Sequence, residues 1–493
     1  LIRLTITRGK DTGTENTGTV NTIKTIKPPQ VGAKKLSLVA IVCLTCLVVL
    51  FASEINKLLA APSPWNQTNW SGGVGSSTTN QYSSASNIDV TTTSGQFSLI
   101  ATSGWSTDYA SWQYRKKITF DNTNANLGVT SEALTNFPVL VKLDSGTDID
   151  YTKTQDSGQD LRFTDSDGTV LNYEIERWDE SGSSYIWVKV PQIDINSDTD
   201  YMYMYYGNTG ATDEQTPAGV WDGSYAGVWH LNQTDIDGGA GDVKDSTSNA
   251  NNGTTSGMDI NDQITGRIGG SMNFDGLNHY INFGNGASLN PGTGNFTVEM
   301  WVKVTDLAGN QGVFDKGYAT AYGIFHTAGN DEIAIYPQSG SNHNGITITS
   351  YYGQWIYVVW TVDNVNDVQR SYINGAFSSQ TNLAIGNVTS SGNFNMGRYN
   401  SGSGYYKGAV DETRISNTAR SAAYVAANYK TEIDDFNSFN PEVSKYSSSG
   451  TLTSNVFDTE YPSDWGNLTY TSSGTGSVSV KVRTSNSATM EGA

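Results

Sequence analysis

The sequence predicts an all-β protein of tandem β-sandwiches, on three observations. Gly (52), Tyr (27) and Trp (12) are plentiful while Pro is scarce (11). Strand-length apolar runs recur between clusters of Ser, Thr, Asn, Asp and Gly, and long amphipathic helices are nearly absent. At 493 residues the chain exceeds one ordinary core, so more than one domain is expected.

The first element is the exception. Residues 36–53, LSLVAIVCLTCLVVLFAS, form an 18-residue run without a charge, the lower limit for crossing a bilayer, and Lys34 and Lys35 precede it. The positive-inside bias makes 1–35 a basic cytoplasmic segment and 36–61 a signal peptide or transmembrane anchor. The rest is then exported, to the extracellular space or the cell surface. Cys43 and Cys46 are the only cysteines and both lie in this run, so no disulfide stabilises the remainder.

Residues 62–110 are Ser/Thr-rich with isolated aromatics (Trp65, Trp70, Trp105) and read as a β segment or stalk. At Trp112 the texture changes. WQYRKKITFDNT, LTNFPVLVKL, DLRFTDSDGTVLNYEIERWD, SYIWVKVPQI and DTDYMYMYYGN are strand-length runs bounded by turn residues, a minimum of five strands and a β-sandwich over 111–209. Residues 112–208 resemble, in order, the bacterial domain of unknown function DUF2341. That resemblance implies sandwich architecture and no particular chemistry.

Strands of similar length separated by Gly/Asn turns fill 210–430, which suits one two-sheet jelly roll and is long enough to fold alone. The phrases FDG (274–276), FTVEMWV (296–302), GQW (353–355), YINGAF (372–377) and GAVDETRI (408–415) are similar to those of the laminin-G-like, concanavalin A-like jelly rolls. AVDETRISNTARS then reads as the last inner strand, followed by a short helical turn over 419–429. Residues 431–493 are expected to be a linker and the start of a further, truncated β domain.

Charge narrows the partners. The chain carries −19. Residues 1–61 hold 8 basic and 3 acidic side chains, which leaves 21 basic against 45 acidic groups in the exported part. Such a surface repels nucleic acid and anionic lipid, so membrane contact is expected only through the N-terminal apolar segment.

Catalytic signatures are missing. No GxSxG, P-loop or dinucleotide fingerprint occurs, and the four histidines are at least 17 positions apart, without metal-ligand spacing. In EIERWDE (174–180), alternation puts Glu174, Glu176, Trp178 and Glu180 on one face, but Trp178 stands where a middle acid is needed. The run reads as a solvated strand face. The tyrosines of DTDYMYMYYGN offer a stacking platform for sugar rings, against a preferred reading as a central strand buried on both faces. Asp411 and Glu412, as strand neighbours, point to opposite faces and make a poor acid–base couple.

The jelly-roll resemblance implies a calcium ion on the sandwich rim, and hard Asp oxygens at Asp245, Asp275 and Asp411 are the candidate ligands for Ca²⁺. The alternative is that Asp411 caps turn amides while Glu412 pairs with Arg414 or a lysine. The function expected is a non-catalytic exported or cell-surface protein with lectin-like modules, binding a polysaccharide or surface glycoprotein in adhesion. Alternatives are accessory modules of a polysaccharide-degrading enzyme and a structural envelope spacer.

Overall fold

Strand alternation sends the side chains of one sheet into two different cores. In the computed structural model, Ser183–Ile193 pairs antiparallel with Leu134–Asp144 on one side and Tyr173–Arg177 on the other. Phe137, Val139, Val141, Ile186 and Val188 enter a core completed by Ile118, Phe120, Met202 and Met204 of the facing sheet. That sheet runs in the order Asn437–Phe439, Tyr114–Phe120, Tyr201–Tyr206, Arg162–Asp165. The intervening Leu140 and Trp187, cross-strand partners, face the other way and are equally buried, against Trp221, Tyr225, Val228 and Ile268. A sheet buried on both faces joins the first sandwich to the second.

The structure describes residues 70–455 except 71, 77–79, 92–95, 307, 318–319 and 338–342, together with four outlying strands. It divides into two compact units, Ser106–Val443 on the one hand and Leu1–Trp105 with Ser444–Ala493 on the other. In the latter, a four-stranded sheet has the order Tyr82–Ser86, Ser449–Ser454, Ile2–Thr7, Ser477–Val482, and Asn16–Val20 pairs with Leu468–Ser472. Trp70, Ile88, Val90 and Leu452 form its small core. Ile2–Thr7 and Asn16–Val20, expected in a cytoplasmic segment, are thus strands paired with Ser449–Ser454 and Ser477–Val482 and with Leu468–Ser472 respectively. The apolar run 36–53 lies outside the described residues, among which no helix is long and apolar enough to cross a membrane.

The second sandwich of the larger unit is a two-sheet jelly roll. One sheet runs Gln263–Thr265, Gly270–Asp275, Lys407–Ser416, Phe296–Val304, Ile356–Asp363, Val368–Ile373, Ala376–Asn382, with Tyr225–Trp229 also paired to Lys407–Ser416. The other runs Ala240–Val243, Gly253–Ser256, Tyr280–Asn282, Asn395–Met396, Gln311–Asp315, Tyr322–Thr327, Glu332–Pro337, Asn344–Thr347. Trp229, Phe274, Phe296, Met300, Trp360 and Val410 meet between the sheets. Each such side chain contributes about 1.5–3 kcal/mol by leaving water.

Helix Ala422–Glu432 follows the last jelly-roll strand. Ser421 caps it by accepting the Tyr424 N–H. Tyr424, Ala426 and Ala427 enter the core of the first sandwich, while Val425 packs with Trp301 and Tyr357 on the outer face of the jelly roll. After the helix, Asn437–Phe439 adds a strand to Tyr114–Phe120. The first part of the stretch expected as a linker, Asn437–Phe439, is therefore a strand of the first sandwich.

Candidate functional site

Two β-bulges, one from each sandwich, bring acids to a single histidine. In the first sandwich the pairing passes from Ile175↔Ile186 to Arg177↔Tyr185, leaving Glu176 as the extra residue. In the jelly roll it passes from Trp301↔Asp411 to Glu299↔Arg414, so Glu412 and Thr413 oppose Met300 alone. Glu412 takes a left-handed φ of 45°. A bulge breaks the two-residue period, and so Asp411 and Glu412 do not separate to opposite environments as regular alternation requires. Both are fully buried.

His230 follows the strand Tyr225–Trp229 and sits between these acids. Its Nδ1 lies 2.8 Å from Glu412 Oε1 and 3.5 Å from Glu176 Oε2, and its Nε2 lies 3.3 Å from Glu174 Oε2. Each carboxylate is oriented from behind. Trp221 Nε1 and Ser246 Oγ donate to Glu174, Trp187 Nε1 donates to Glu176, and Arg414 donates to Glu412 at 2.6 Å. Arg414 also pairs with Glu432 at 2.7 Å and Glu299 at 3.5 Å, and its guanidinium lies 4.4 Å from the Trp187 ring centre.

The electrostatics follow from crowding in a dry place. Burial, then the charge of Glu412, pushes the Glu176 carboxyl well above its usual range. Burial and the charges of Glu412 and Glu176 do the same to Asp411. Burial also opposes ionisation of Glu412, yet His230 and Arg414 hold it below the ordinary value. Burial works against the imidazolium of His230, but Glu412 and Glu174 raise it well above normal. Glu174 and Glu176, expected on a solvated face, are instead at the junction, with side chains 11% and 0% exposed. Glu176 is among the residues lining a cavity of about 920 Å³, with Arg177, Asn232, Lys244 and Gly269.

The three Asp candidates are not brought together. Asp245 accepts the N–H groups of Val228, Thr247 and Asn251. Asp275 Oδ1 accepts those of Leu277, Asn278 and His279 in the following turn. Asp411 is buried in the middle of a sheet and not on the rim, and its Oδ2 accepts from Arg267 and Ile268. Each thus satisfies backbone amides in a different loop. Among the described residues, the group of acids and histidine with ligand atoms within 4.8 Å of one another is Glu176, His230 and Glu412. The tyrosine strand is core on one face, through Met202, Met204 and Tyr206. On the other, Lys117 and Arg115 lie 3.8 and 4.4 Å from the centres of the Tyr201 and Tyr203 rings.

A second concavity, of about 600 Å³, lies on the jelly roll's other sheet. Phe325, Tyr336 and Tyr399 form its aromatic floor, with ring centres 5.4 Å (Phe325–Tyr336) and 4.9 Å (Phe325–Tyr399) apart. Asn310, Thr327, Asn400 and Ser401 supply amides and hydroxyls around it. Asp315 fixes one wall, accepting the N–H groups of Gly317 and Asn400. These residues come from separate strands and a loop, so no local phrase announces the groove.

Comparison with known proteins follows the same division. Residues 157–231 match the family model of the domain of unknown function DUF2341, and residues 274–426 match that of the concanavalin A-like lectin/glucanases superfamily. The first match contains Glu174, Glu176, Trp187, Trp221 and His230. Similar solved structures include the binding domain of Paraclostridial Mosquitocidal Protein 1, at 14% identity over 42% of this chain and 52% of that chain, TM-score 0.35. The receptor binding domain of botulinum neurotoxin C/D mosaic serotype aligns at 11% identity over 42% and 51%, TM-score 0.35. The botulinum neurotoxin DC binding domain in complex with SialylT aligns at 11% over 43% and 52%, TM-score 0.34. The chain thus spans about half the length of these structures. No curated protein matches it.

Proposed function

We propose that the jelly roll binds carbohydrate in the groove floored by Phe325, Tyr336 and Tyr399, and that the chain is a non-catalytic binding protein acting in adhesion at the cell surface. The carrying observation is the pairing of an aromatic floor with a rim of neutral amides and hydroxyls. A pyranose presents an apolar C–H face to an aromatic ring and hydroxyls at its edge, which is the complement of this surface. The match to a lectin/glucanase superfamily supports the same reading. The acidic surface favours a neutral or cationic glycan over an anionic one.

A glycan array probed with the whole chain identifies the ligand class, and titration calorimetry measures its affinity. Tyr336→Ala and Tyr399→Ala are each expected to weaken binding by about tenfold or more, roughly 1.4 kcal/mol, with the thermal unfolding curve little changed. Retention of full affinity by both variants refutes this site. Absence of binding across neutral and cationic glycans refutes the function.

A further inference from the structure

We infer that Glu176, His230 and Glu412 form a binding site for a divalent transition-metal ion at the junction of the two sandwiches, reached through the adjoining cavity. Donor spacing is the first argument. Ligands about 2.0–2.2 Å from such an ion lie about 3 Å from one another, and His230 Nδ1 is 2.8 Å from Glu412 Oε1 and 3.5 Å from Glu176 Oε2.

The outer contacts are the second. A metal-bound imidazole characteristically donates its other ring N–H to a carboxylate, and here Nε2 faces Glu174 Oε2, itself fixed by Trp221 and Ser246. Trp187 and Arg414 orient Glu176 and Glu412 in the same way, so the donor set is supported on every side.

The third argument is what remains unsatisfied. Glu176 Oε1 and Asp411 Oδ1 are buried and have no hydrogen-bond partner, although both side chains are wholly enclosed. Glu174, Glu176 and Glu412 face His230, and Glu299, Glu412 and Glu432 face Arg414, so five carboxyl groups crowd two cationic side chains, a set of oxygens that a dication suits. One imidazole with two carboxylates suits Zn²⁺ or a neighbouring first-row ion better than Ca²⁺, which takes oxygen alone. Glu176 is also among the residues lining the 920 Å³ cavity, so the enclosed carboxylate lies on the side of the junction from which an ion can approach.

The test uses the whole chain, stripped with chelator and dialysed against ZnCl₂, MnCl₂ or CaCl₂. About one equivalent of zinc per chain is expected by mass spectrometry of the metal, with a melting temperature several degrees higher than in chelator. Glu176→Gln keeps an oxygen to accept from Trp187 and relieves charge crowding, so it is expected to fold at least as stably without metal and to lose both zinc uptake and the melting shift. His230→Gln is expected to lose them as well, while Asp275→Asn keeps both. Zinc uptake equal in wild type, Glu176→Gln and His230→Gln overturns the assignment, as does absence of uptake by wild type. Equal stabilisation by calcium overturns the ion class.

Discussion

At the scale of single residues, the sequence reveals partners better than positions. The pairing of Glu412 with Arg414 is readable from their separation and opposite charge, and it is present at 2.6 Å. Their burial is not readable, because a bulge on a non-glycine residue at φ 45° leaves no mark in composition or spacing. Asp275 shows the other outcome for a candidate ligand. Burial opposes its ionisation, but three backbone N–H groups and the charge of His279 outweigh that and hold its carboxyl below the ordinary range. A lowered folded-state value means the carboxylate stabilises the fold fully above the unfolded value near 4, and loses that contribution as pH falls through the folded value. Asp275→Asn is therefore expected to cost about 1 kcal/mol at pH 7 and progressively less below pH 4, measured by urea unfolding across that range. A cost that does not diminish in acid contradicts the assignment.

Elements are more legible than residues because hydrophobic period and turn chemistry are local. The expected runs in 111–209 appear as strands from Tyr114–Phe120 to Tyr201–Tyr206, and the jelly-roll phrases fall on Gly270–Asp275, Phe296–Val304 and Lys407–Ser416. The expected helical turn over 419–429 is the helix Ala422–Glu432. What its sequence conceals is burial on several sides. With Tyr424 in one core and Val425 in another, it shows no amphipathic stripe from which a docking face can be read. Removing its N-cap with Ser421→Ala is expected to cost about 1 kcal/mol. Because the helix packs on both sandwiches, the loss should appear as one shifted transition. Two transitions in calorimetry, with only one moved, would show that the helix serves a single sandwich.

For the larger unit as a whole, the expectation that residues 211–430 fold alone stands against a core shared with the first sandwich. Length and family phrases mark 210–430 as self-sufficient, yet neither reports which surfaces another part of the chain covers. Trp221, Tyr225, Val228 and Ile268 are buried against Leu140 and Trp187, and Arg414 lies over the Trp187 ring. Uncovering those four apolar residues forfeits about 1.5–3 kcal/mol each, a sum comparable with the whole stability of a typical domain, about 5–15 kcal/mol. The same cut removes Glu176 and Glu174 from His230, and at Lys430 it severs the chain before Glu432, a partner of Arg414. A fragment of residues 211–430 is therefore expected to be insoluble or molten, with weak near-ultraviolet circular dichroism, whereas Ser106–Val443 unfolds in one cooperative step. The opposite result, a monomeric 211–430 fragment with a sharp transition and dispersed amide resonances, would mean that the junction is a docking contact between independent domains and that Glu176 and Glu412 meet only after each sandwich has folded.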